Sequence, residues 1–267
     1  LLERKEDRSW QEGVVKEVER WWRLMEDRGR PQLNDDGLLR PQGLFQVLSE
    51  KLPDDAILSS DSGSATNWFA RHVKMRRGMQ ASLSGTLASM LSGVPYALAA
   101  KFAYPDRLSI GFVGDGAMQM LGMNELITAA KSYEEWRDPR LVFLVMNNSD
   151  LNQVTWEQRA MAGDPKFPAS QTIPRIDFAS WARQIGLEGI RVEKPEEIEP
   201  AWDRALSADR PTVIDAIVDP NEPPLPPHIT LDQAKKLVSS ILRGDEDRLQ
   251  LAKESAKQKA GEFVPGR

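Results

Sequence analysis

The chain contains no cysteine and only two histidines, His72 and His228. Without cysteine there is no disulfide, no thiolate nucleophile and no zinc–thiolate site. Two histidines are too few for a histidine-rich metal centre, and we interpret His72 as a packing residue rather than a catalyst. The hard oxygen ligands of carboxylates, amides and carbonyls remain for a metal.

Positive charge is also in short supply. The 35 Lys and Arg against 40 Asp and Glu give a formal net charge of -5 and a pI near 5.3. Nucleic-acid phosphates are bound by clustered Lys and Arg, so we predict no nucleic-acid partner. The first residues are charged too early for a signal peptide, and we expect a cytoplasmic protein.

One uncharged stretch, residues 78–100, is long enough to cross a membrane. It contains Gly78, Gly85, Gly93 and Pro95 together with many Ser and Thr, which suit close packing around a ligand better than contact with lipid. We therefore predict a soluble chain. Its 267 residues, 40% of them hydrophobic, can form the core of one large α/β domain with appendages.

Two short apolar runs each end in a polar turn. Residues 108–113 precede a Gly-Asp-Gly turn at 114–116, and residues 141–146 precede Asn147 and Asn148. Each run is nearly uncharged and rich in β-branched or aromatic residues, which is typical of a buried parallel strand, and the segment between them has helical spacing. Ligands of strand–helix–strand units bind beyond the carboxyl ends of the strands, where both polar turns fall.

The residue types at these turns favour a metal bridged to a phosphate. The Asp115 carboxylate, the Asn148 side-chain oxygen and the Asp150 backbone carbonyl are hard ligands of the kind that Mg²⁺ prefers. Gly116 lets the backbone approach an anion, and a helix opening at Ala117 would direct its N–H groups and dipole toward it. A diphosphate held by one magnesium ion would fit here.

This Gly-Asp-Gly turn followed by Asn-Asn resembles the cofactor motif of thiamine-diphosphate (ThDP) enzymes. Up to about Arg243 the chain resembles the C-terminal, diphosphate-binding domain of the pyruvate oxidase and quinone-dependent pyruvate dehydrogenase branch, within the acetolactate synthase-like superfamily. The supporting segments are residues 52–58, 61–63, 88–90, 93–95, 99–101, 189–194 and 226–229. One departure is a spacer, residues 117–146, a few positions longer than usual; we place the surplus in a charged loop at 133–139, far from the metal.

The resemblance implies further cofactor contacts. Gly63 and Ser64 would lie beside the diphosphate, although a simple helix cap explains them nearly as well. Ala88 would offer its carbonyl to the cofactor's amino group, and Met90 would wedge between the two ThDP rings, a gap that a flexible thioether fills well. With Gly114, Asp115, Gly116, Ala117, Asn148 and Asp150 these residues complete the predicted cofactor site.

Two residues are candidates for catalysis by the same resemblance. Glu157 matches a carboxylate that faces the substrate in the oxidases; a solvated helix residue is the alternative. Gln153 stands where those oxidases carry a Phe linked to substrate binding and electron transfer, so the oxidase branch is less well supported than the cofactor.

The alternation of apolar runs and helical patterns predicts an α/β fold, a doubly wound, mostly parallel sheet with helices on both faces. We divide the chain into an N-terminal helix and linker (1–36), resembling the end of a preceding central domain, a ThDP- and Mg²⁺-binding domain (37–220), and a proline-rich connector with a helical tail (221–267). The N-terminal helix carries a capping-box pattern at Ser9 and Glu12. After Gly244 the tail is polar and is expected to fray.

The resemblance implies a 2-oxo acid substrate, ThDP and Mg²⁺ as cofactors, and FAD in the complete enzyme. It also implies a homo-oligomer, dimer or tetramer, and a pyrimidine-binding domain that supplies an activating Glu. No segment here resembles that domain or the FAD domain, so we expect the chain alone to be inactive. Lys253, Lys257 and Lys259 leave a peripheral membrane contact open, but few bulky apolar residues accompany them.

Three functions stay open: oxidase-like decarboxylation of a 2-oxo acid, carboligation of the acetolactate synthase kind, and a non-catalytic partner domain that keeps the fold. Dinucleotide binding is disfavoured because Gln119 occupies the place of the third glycine of that motif.

Overall fold

The computed structural model describes residues 7–224 and 230–253. Residues 226–229 and Lys257 and Lys259, named above, lie outside these ranges. Within them no helix is long and apolar enough to cross a membrane. The elements, in chain order, are helices α1 (Ser9–Arg28), α2 (Gln42–Lys51), strand β1 (Ile57–Ser60), α3 (Ser64–His72), β2 (Gln80–Leu83), α4 (Gly93–Ala103), β3 (Ser109–Gly114), α5 (Asp115–Ala117), α6 (Met123–Ser132), β4 (Leu141–Asn147), α7 (Asn152–Glu157), α8 (Pro168–Gln171), α9 (Phe178–Gln184), β5 (Glu188–Val192), α10 (Pro195–Leu206), β6 (Thr212–Ile217) and α11 (Leu231–Leu242).

The described strands form one six-stranded sheet in the order β2-β1-β3-β4-β6-β5. Every pairing is parallel. The predicted α/β class and parallel sheet are therefore confirmed. β2 was not predicted as a strand, because its four residues are all exposed and carry no buried alternation.

Apolar residues cover both faces of the sheet, as strands sandwiched by helices require. Along β4, Val142, Leu144 and Met146 join a core with α2, α3 and α10. Leu141, Phe143 and Val145 alternate to the other face, against α4, α6 and α9. This two-sided burial holds the carboxyl ends of the central strands in fixed register.

Helix α1 meets the domain mainly through its last turns. Met25 is buried, whereas Trp10 is 77% exposed and Val14 and Val18 are also exposed. The capping box expected at Ser9 and Glu12 is not formed: the N-cap is Arg8, and no side chain caps the helix.

The long segment before β4 lies at the amino ends of the strands, opposite the predicted site. We expected a charged loop at 133–139, but part of this segment is ordered and buried. Residues Tyr133–Glu135 form a 3₁₀ turn, and Trp136 is buried edge-to-face against Phe102, with 5.7 Å between ring centroids.

The segment after Gly244 docks onto the domain instead of fraying, as far as residue 253. Asp245 and Leu251 are buried, and both oxygens of Asp245 accept hydrogen bonds from the buried Arg159, at 2.9 and 2.8 Å. A buried, bidentate ion pair of this kind fixes a segment that its polar composition marked as mobile.

Candidate functional site

A cavity of about 250 Å³ lies beyond the carboxyl ends of β1, β3 and β4. β1 and β3 are neighbours in the sheet, and the connection after β1 runs to β2 on one side while the connection after β3 runs to β4 on the other. The cavity therefore lies at the switch point of the sheet, where ligands of open α/β sheets bind. All twelve predicted site residues line it: Gly63, Ser64, Ala88, Met90, Gly114, Asp115, Gly116, Ala117, Asn148, Asp150, Gln153 and Glu157.

Asp115 connects the two polar turns. Its Oδ2 accepts hydrogen bonds from the backbone N–H groups of Asn148 (2.9 Å) and Ser149 (2.6 Å), and its Oδ1 accepts one from Gly116 (2.8 Å). The helix after β3 begins at Asp115, with Gly114 as N-cap, rather than at the predicted Ala117. The carboxylate thus occupies the first turn of the helix, where the dipole favours negative charge.

Asn148 and Asp150 form the other wall of this corner. The Asn148 side-chain oxygen accepts a hydrogen bond from the Asp150 N–H at 3.1 Å, which tightens the loop after β4. The Asp150 side chain is buried, and its Oδ1 lies 3.3 Å from Nζ of Lys166.

The acids of this corner are costly to ionise because they are buried. Burial raises the pKa of Asp115 to about 7 even though three backbone N–H groups stabilise the anion. Burial likewise raises the pKa of Asp61, at the end of β1, to about 6. The pKa of Asp150 is also raised by burial, which the nearby Lys166 opposes.

This donor set fits a divalent cation. Oδ2 of Asp61 accepts the Gly114 N–H at 2.9 Å, while its buried Oδ1 has no hydrogen-bond partner of normal geometry in the described chain. A bound cation would supply the positive counter-charge that the buried carboxylates lack. Water molecules on that cation could donate hydrogen bonds to Oδ1 of Asp61. The assignment of Asp115, Asn148 and Asp150 as ligands stays a prediction.

Strained backbone holds the loop that carries Met90. Ala88 and Leu91 have φ of 53° and 74°, and Ser149, beside Asn148, has φ of 58°. In the described residues these are the non-glycine positions with positive φ. Such strain persists only where the surroundings impose it and is concentrated at functional sites. Here it directs Met90, 41% exposed, into the cavity while the buried Leu91 anchors the loop.

Gly63 and Ser64 lie at the start of α3. Gly63 is the N-cap, and no side chain caps this helix, so Ser64 is the first helical residue rather than the cap. Of the two residues, Gly63 therefore takes the N-cap position, as the alternative of a simple helix cap requires, and their contact with a diphosphate stays a prediction.

Gln153 and Glu157 face the cavity from one side of α7. Gln153 accepts a hydrogen bond from Asn67 Nδ2 at 3.0 Å and donates one from Nε2 to the Glu157 carboxylate at 3.0 Å. The chain of three side chains joins α3 to α7 across the cavity wall and restrains the carboxylate of Glu157.

Sequence reasoning missed several lining residues, among them Asp61 and Asn152. Asp61 carried a usable signal, because it follows a buried strand just as Asp115 does. Asn152 donates to the carbonyl of Pro220 at 2.5 Å, a contact between segments far apart in sequence. No local pattern could have revealed it.

Comparison with known proteins identifies the family. Residues 61–216 match the family described as thiamine pyrophosphate enzyme, C-terminal TPP binding domain. The chain is 36% identical over 242 residues to YdaP of Bacillus subtilis (strain 168), described as thiamine pyrophosphate-containing, covering 91% of this chain and 40% of YdaP.

Other relatives agree. The chain is 34% identical over 192 residues to benzoylformate decarboxylase of Pseudomonas aeruginosa, 71% of this chain and 34% of that protein. It is 31% identical over 193 residues to the acetolactate synthase catalytic subunit of Aspergillus candidus, 71% of this chain and 27% of that protein.

Among solved structures, the ThDP-dependent 4-hydroxybenzoylformate decarboxylase of Rhodococcus jostii RHA1 superposes with a TM-score of 0.59 and 27% identity, over 68% of this chain and 33% of that one. The chain thus spans well under half the length of these relatives. With a matched fold, a cavity at the switch point and a family match over more than half its length, this chain belongs to the thiamine pyrophosphate enzyme family and carries its C-terminal TPP-binding domain.

Proposed function

We propose that this chain is the ThDP- and Mg²⁺-binding domain or subunit of a 2-oxo acid decarboxylating oxidoreductase of the pyruvate oxidase type. The observation that carries the proposal is the convergence of all twelve predicted residues on one cavity at the switch point of the sheet. These residues come from four separate segments of the chain, 63–64, 88–90, 114–117 and 148–157, and their meeting in one cavity supports the proposal.

The metal corner would hold the diphosphate end of the cofactor. Asp115, Asn148 and the Asp150 carbonyl would coordinate Mg²⁺, leaving other positions for water and phosphate oxygens. The N–H groups of Ala117, in the first turn of the helix that begins at Asp115, and of Ser64, the first residue of α3, would face the anion.

The remaining residues would orient the organic part. When bound, ThDP supplies a nucleophilic carbon and an electron sink for decarboxylation. Met90 would support the bent shape of the cofactor, and the Ala88 carbonyl would accept a hydrogen bond from its amino group. Glu157, restrained by Gln153, would face the substrate and bind or move a proton there.

The complete enzyme requires more than this chain. The pyrimidine-binding domain, FAD and a homo-oligomeric assembly are part of the proposal, as is the inactivity of the chain alone. The length comparison supports this, since the relatives are more than twice as long.

Carboligation is the second candidate, because acetolactate synthase subunits are among the relatives at 30–31% identity. Product analysis with pyruvate separates the two functions: acetate supports the oxidase reaction, and acetolactate supports carboligation.

The test of the cofactor assignment is a calorimetric titration of ThDP into the chain, with its pyrimidine-binding partner polypeptide, with and without Mg²⁺. We expect binding that requires Mg²⁺ and is lost in Asp115→Ala. Asp209→Ala is the matched control, because that carboxylate is 82% exposed in the turn before β6, at the opposite end of the sheet. Unchanged, Mg²⁺-dependent affinity in folded Asp115→Ala would contradict the metal assignment and favour a non-catalytic domain.

A further inference from the structure

Lys166 lies next to the predicted metal loop, yet neither the sequence motif nor the cavity lining includes it. Its Nζ lies 3.3 Å from the Asp150 carboxylate and 3.2 Å from the Glu246 carboxylate. Its backbone N–H donates to Asp245 Oδ2 at 2.9 Å. Both partners of the ion pair are almost fully buried, at 9% side-chain exposure for Lys166 and 2% for Asp150.

In the proposed site only the backbone carbonyl of Asp150 serves as a ligand, and its side chain has no assigned role. Its side chain adds a third acid to a corner that already contains Asp61 and Asp115. Because Asp150 lines the same cavity, an unpaired carboxylate there could compete for a cation or replace one of its waters. The ion pair with Lys166 engages the Asp150 carboxylate and so reduces its tendency to bind the cation.

We propose that Lys166 is a positioning residue that engages the Asp150 carboxylate, so that the metal site receives the backbone carbonyl and not the side chain. The inference rests on the proposed ThDP- and Mg²⁺-binding function. It predicts a selectivity: with the carboxylate engaged, the site offers few charged oxygens and suits Mg²⁺, which keeps waters and an octahedral shell.

Lys166 is well fixed for this task. Asp245, which accepts the Lys166 backbone N–H, is paired with the buried Arg159, and the Glu246 carboxylate lies 3.2 Å from the Lys166 ammonium group. Because Asp245 and Glu246 already hold Lys166, its side chain loses little further entropy on pairing with Asp150. Removal of the ammonium group would leave the Asp150 carboxylate buried without a counter-charge.

The test measures Mg²⁺ and Ca²⁺ affinities separately, by calorimetry in saturating ThDP, for the wild type and four variants. In Lys166→Met the released carboxylate can join the cation, and because Ca²⁺ accepts more carboxylate oxygens than Mg²⁺, the ratio of Ca²⁺ to Mg²⁺ affinity should rise roughly tenfold. Asp150→Asn should keep the wild-type ratio, and Lys166→Met combined with Asp150→Asn should restore it. Lys166→Arg, which keeps the ion pair, should also keep the ratio.

Each outcome has a distinct meaning. An unchanged ratio in Lys166→Met, or an equal shift in the single and the double variant, would overturn the proposal, because a merely structural lysine would affect both alike. Thermal unfolding of each variant identifies any loss of fold, and the double variant then decides, since it lacks the buried unpaired acid. Absence of Mg²⁺-dependent ThDP binding in the wild type would instead refute the proposed function itself.

Discussion

Asp61 and Asp115 illustrate how a ligand site can weaken the protein that contains it. Both carboxylates are buried, and burial places the pKa of each well above the value of an exposed aspartate. Ionisation of these groups at neutral pH therefore opposes folding, a cost that the proposed cation would offset. Stability without ligand and affinity for the cation are linked through the same groups.

Asp61→Asn should stabilise the ligand-free chain in a pH-dependent way. The pKa of Asp61 is about 6 in the folded chain, against 3.8 for an ordinary aspartate, so the unfolded state loses its proton first and stability falls as pH rises from 4 to 6. The amide removes this effect and keeps the acceptor for the Gly114 N–H, so we expect a gain of about 3 kcal/mol at pH 8 and well under 1 kcal/mol at pH 4.

Urea unfolding at both pH values, without ThDP or divalent cations, measures this difference. Asp115 is present in both proteins, so its own titration cancels in the comparison. A gain of equal size at pH 4 and pH 8 would show that ionisation of Asp61 is not the cause.

Gly116→Ala should impair cofactor binding more than stability. A Cβ at this position would lie 2.7 Å from Cδ2 of Leu151 and 3.8 Å from Cε of Met90, so the flexible Leu151 side chain must move into the cavity. We expect ThDP affinity to fall by roughly tenfold or more, since a 1 Å displacement in a ligand site is costly. Calorimetry measures it, and Gly13→Ala, which meets no atom within 4 Å, is the control.

At the scale of the element, the junction of α4 with the sheet depends on a close approach. Gly93, the first residue of α4, lies against backbone atoms at the carboxyl ends of β1 and β3. A Cβ there would be 2.5 Å from the Phe112 carbonyl oxygen and 2.9 Å from the Asp61 nitrogen. The rigid backbone on both sides cannot yield as a side chain could.

Gly93→Ala should therefore destabilise the chain by roughly 2–3 kcal/mol, the usual range for overpacking a tight contact. Denaturant unfolding of the variant beside Gly85→Ala, whose Cβ would have only one neighbour, at 3.8 Å, gives the comparison. Equal stability of the two variants would mean that the helix can move off the sheet without cost.

The elements differ in how clearly the sequence predicted them. β3 and β4 carry nearly continuous apolar runs because both faces of a central parallel strand are covered. β2 is an edge strand with exposed side chains, which leaves no periodic signal. The π-helical turn Met118–Gly122 depends on packing and has no sequence signal of its own.

The site residues also divide into those with a local sequence signal and those without one. Asp115 and Asn148 were recognisable because each follows a buried strand, and the resemblance supplied Ala88 and Met90, which local patterns alone would assign to the core. Lys166 escaped notice because its partner Asp150 is 16 residues away across a loop, and the partnership exists only in the folded chain.

At the scale of the molecule, the segment after α11 fastens the wall of the cavity that α7 forms. Arg159 follows α7 in a π-helical turn and pairs with Asp245, and Nη2 of Arg159 also reaches Asp247 at 2.7 Å. Trp156 on α7 packs with Leu237 and Leu251. Two distant parts of the chain are thereby joined over the site.

Arg159→Met should destabilise the chain by about 3–5 kcal/mol, because it leaves the buried Asp245 without its cation. Adding Asp245→Asn should recover part of the loss, since the uncompensated charge is then gone. Chemical unfolding of the wild type and of the single and double variants measures the coupling. Additive effects of the two substitutions would contradict a direct pairing in solution.

The all-parallel sheet also has a consequence for how the chain reaches its native state. Ile57 pairs with Gln80, Ser109 with Leu141 and Val142 with Thr212, so each ladder joins segments separated by a whole crossover or more. The entropy of closing these loops is lost before the strands gain their hydrogen bonds. Refolding should accordingly be slow relative to helical bundles of similar size, with transiently uncovered strand edges that favour aggregation at high protein concentration.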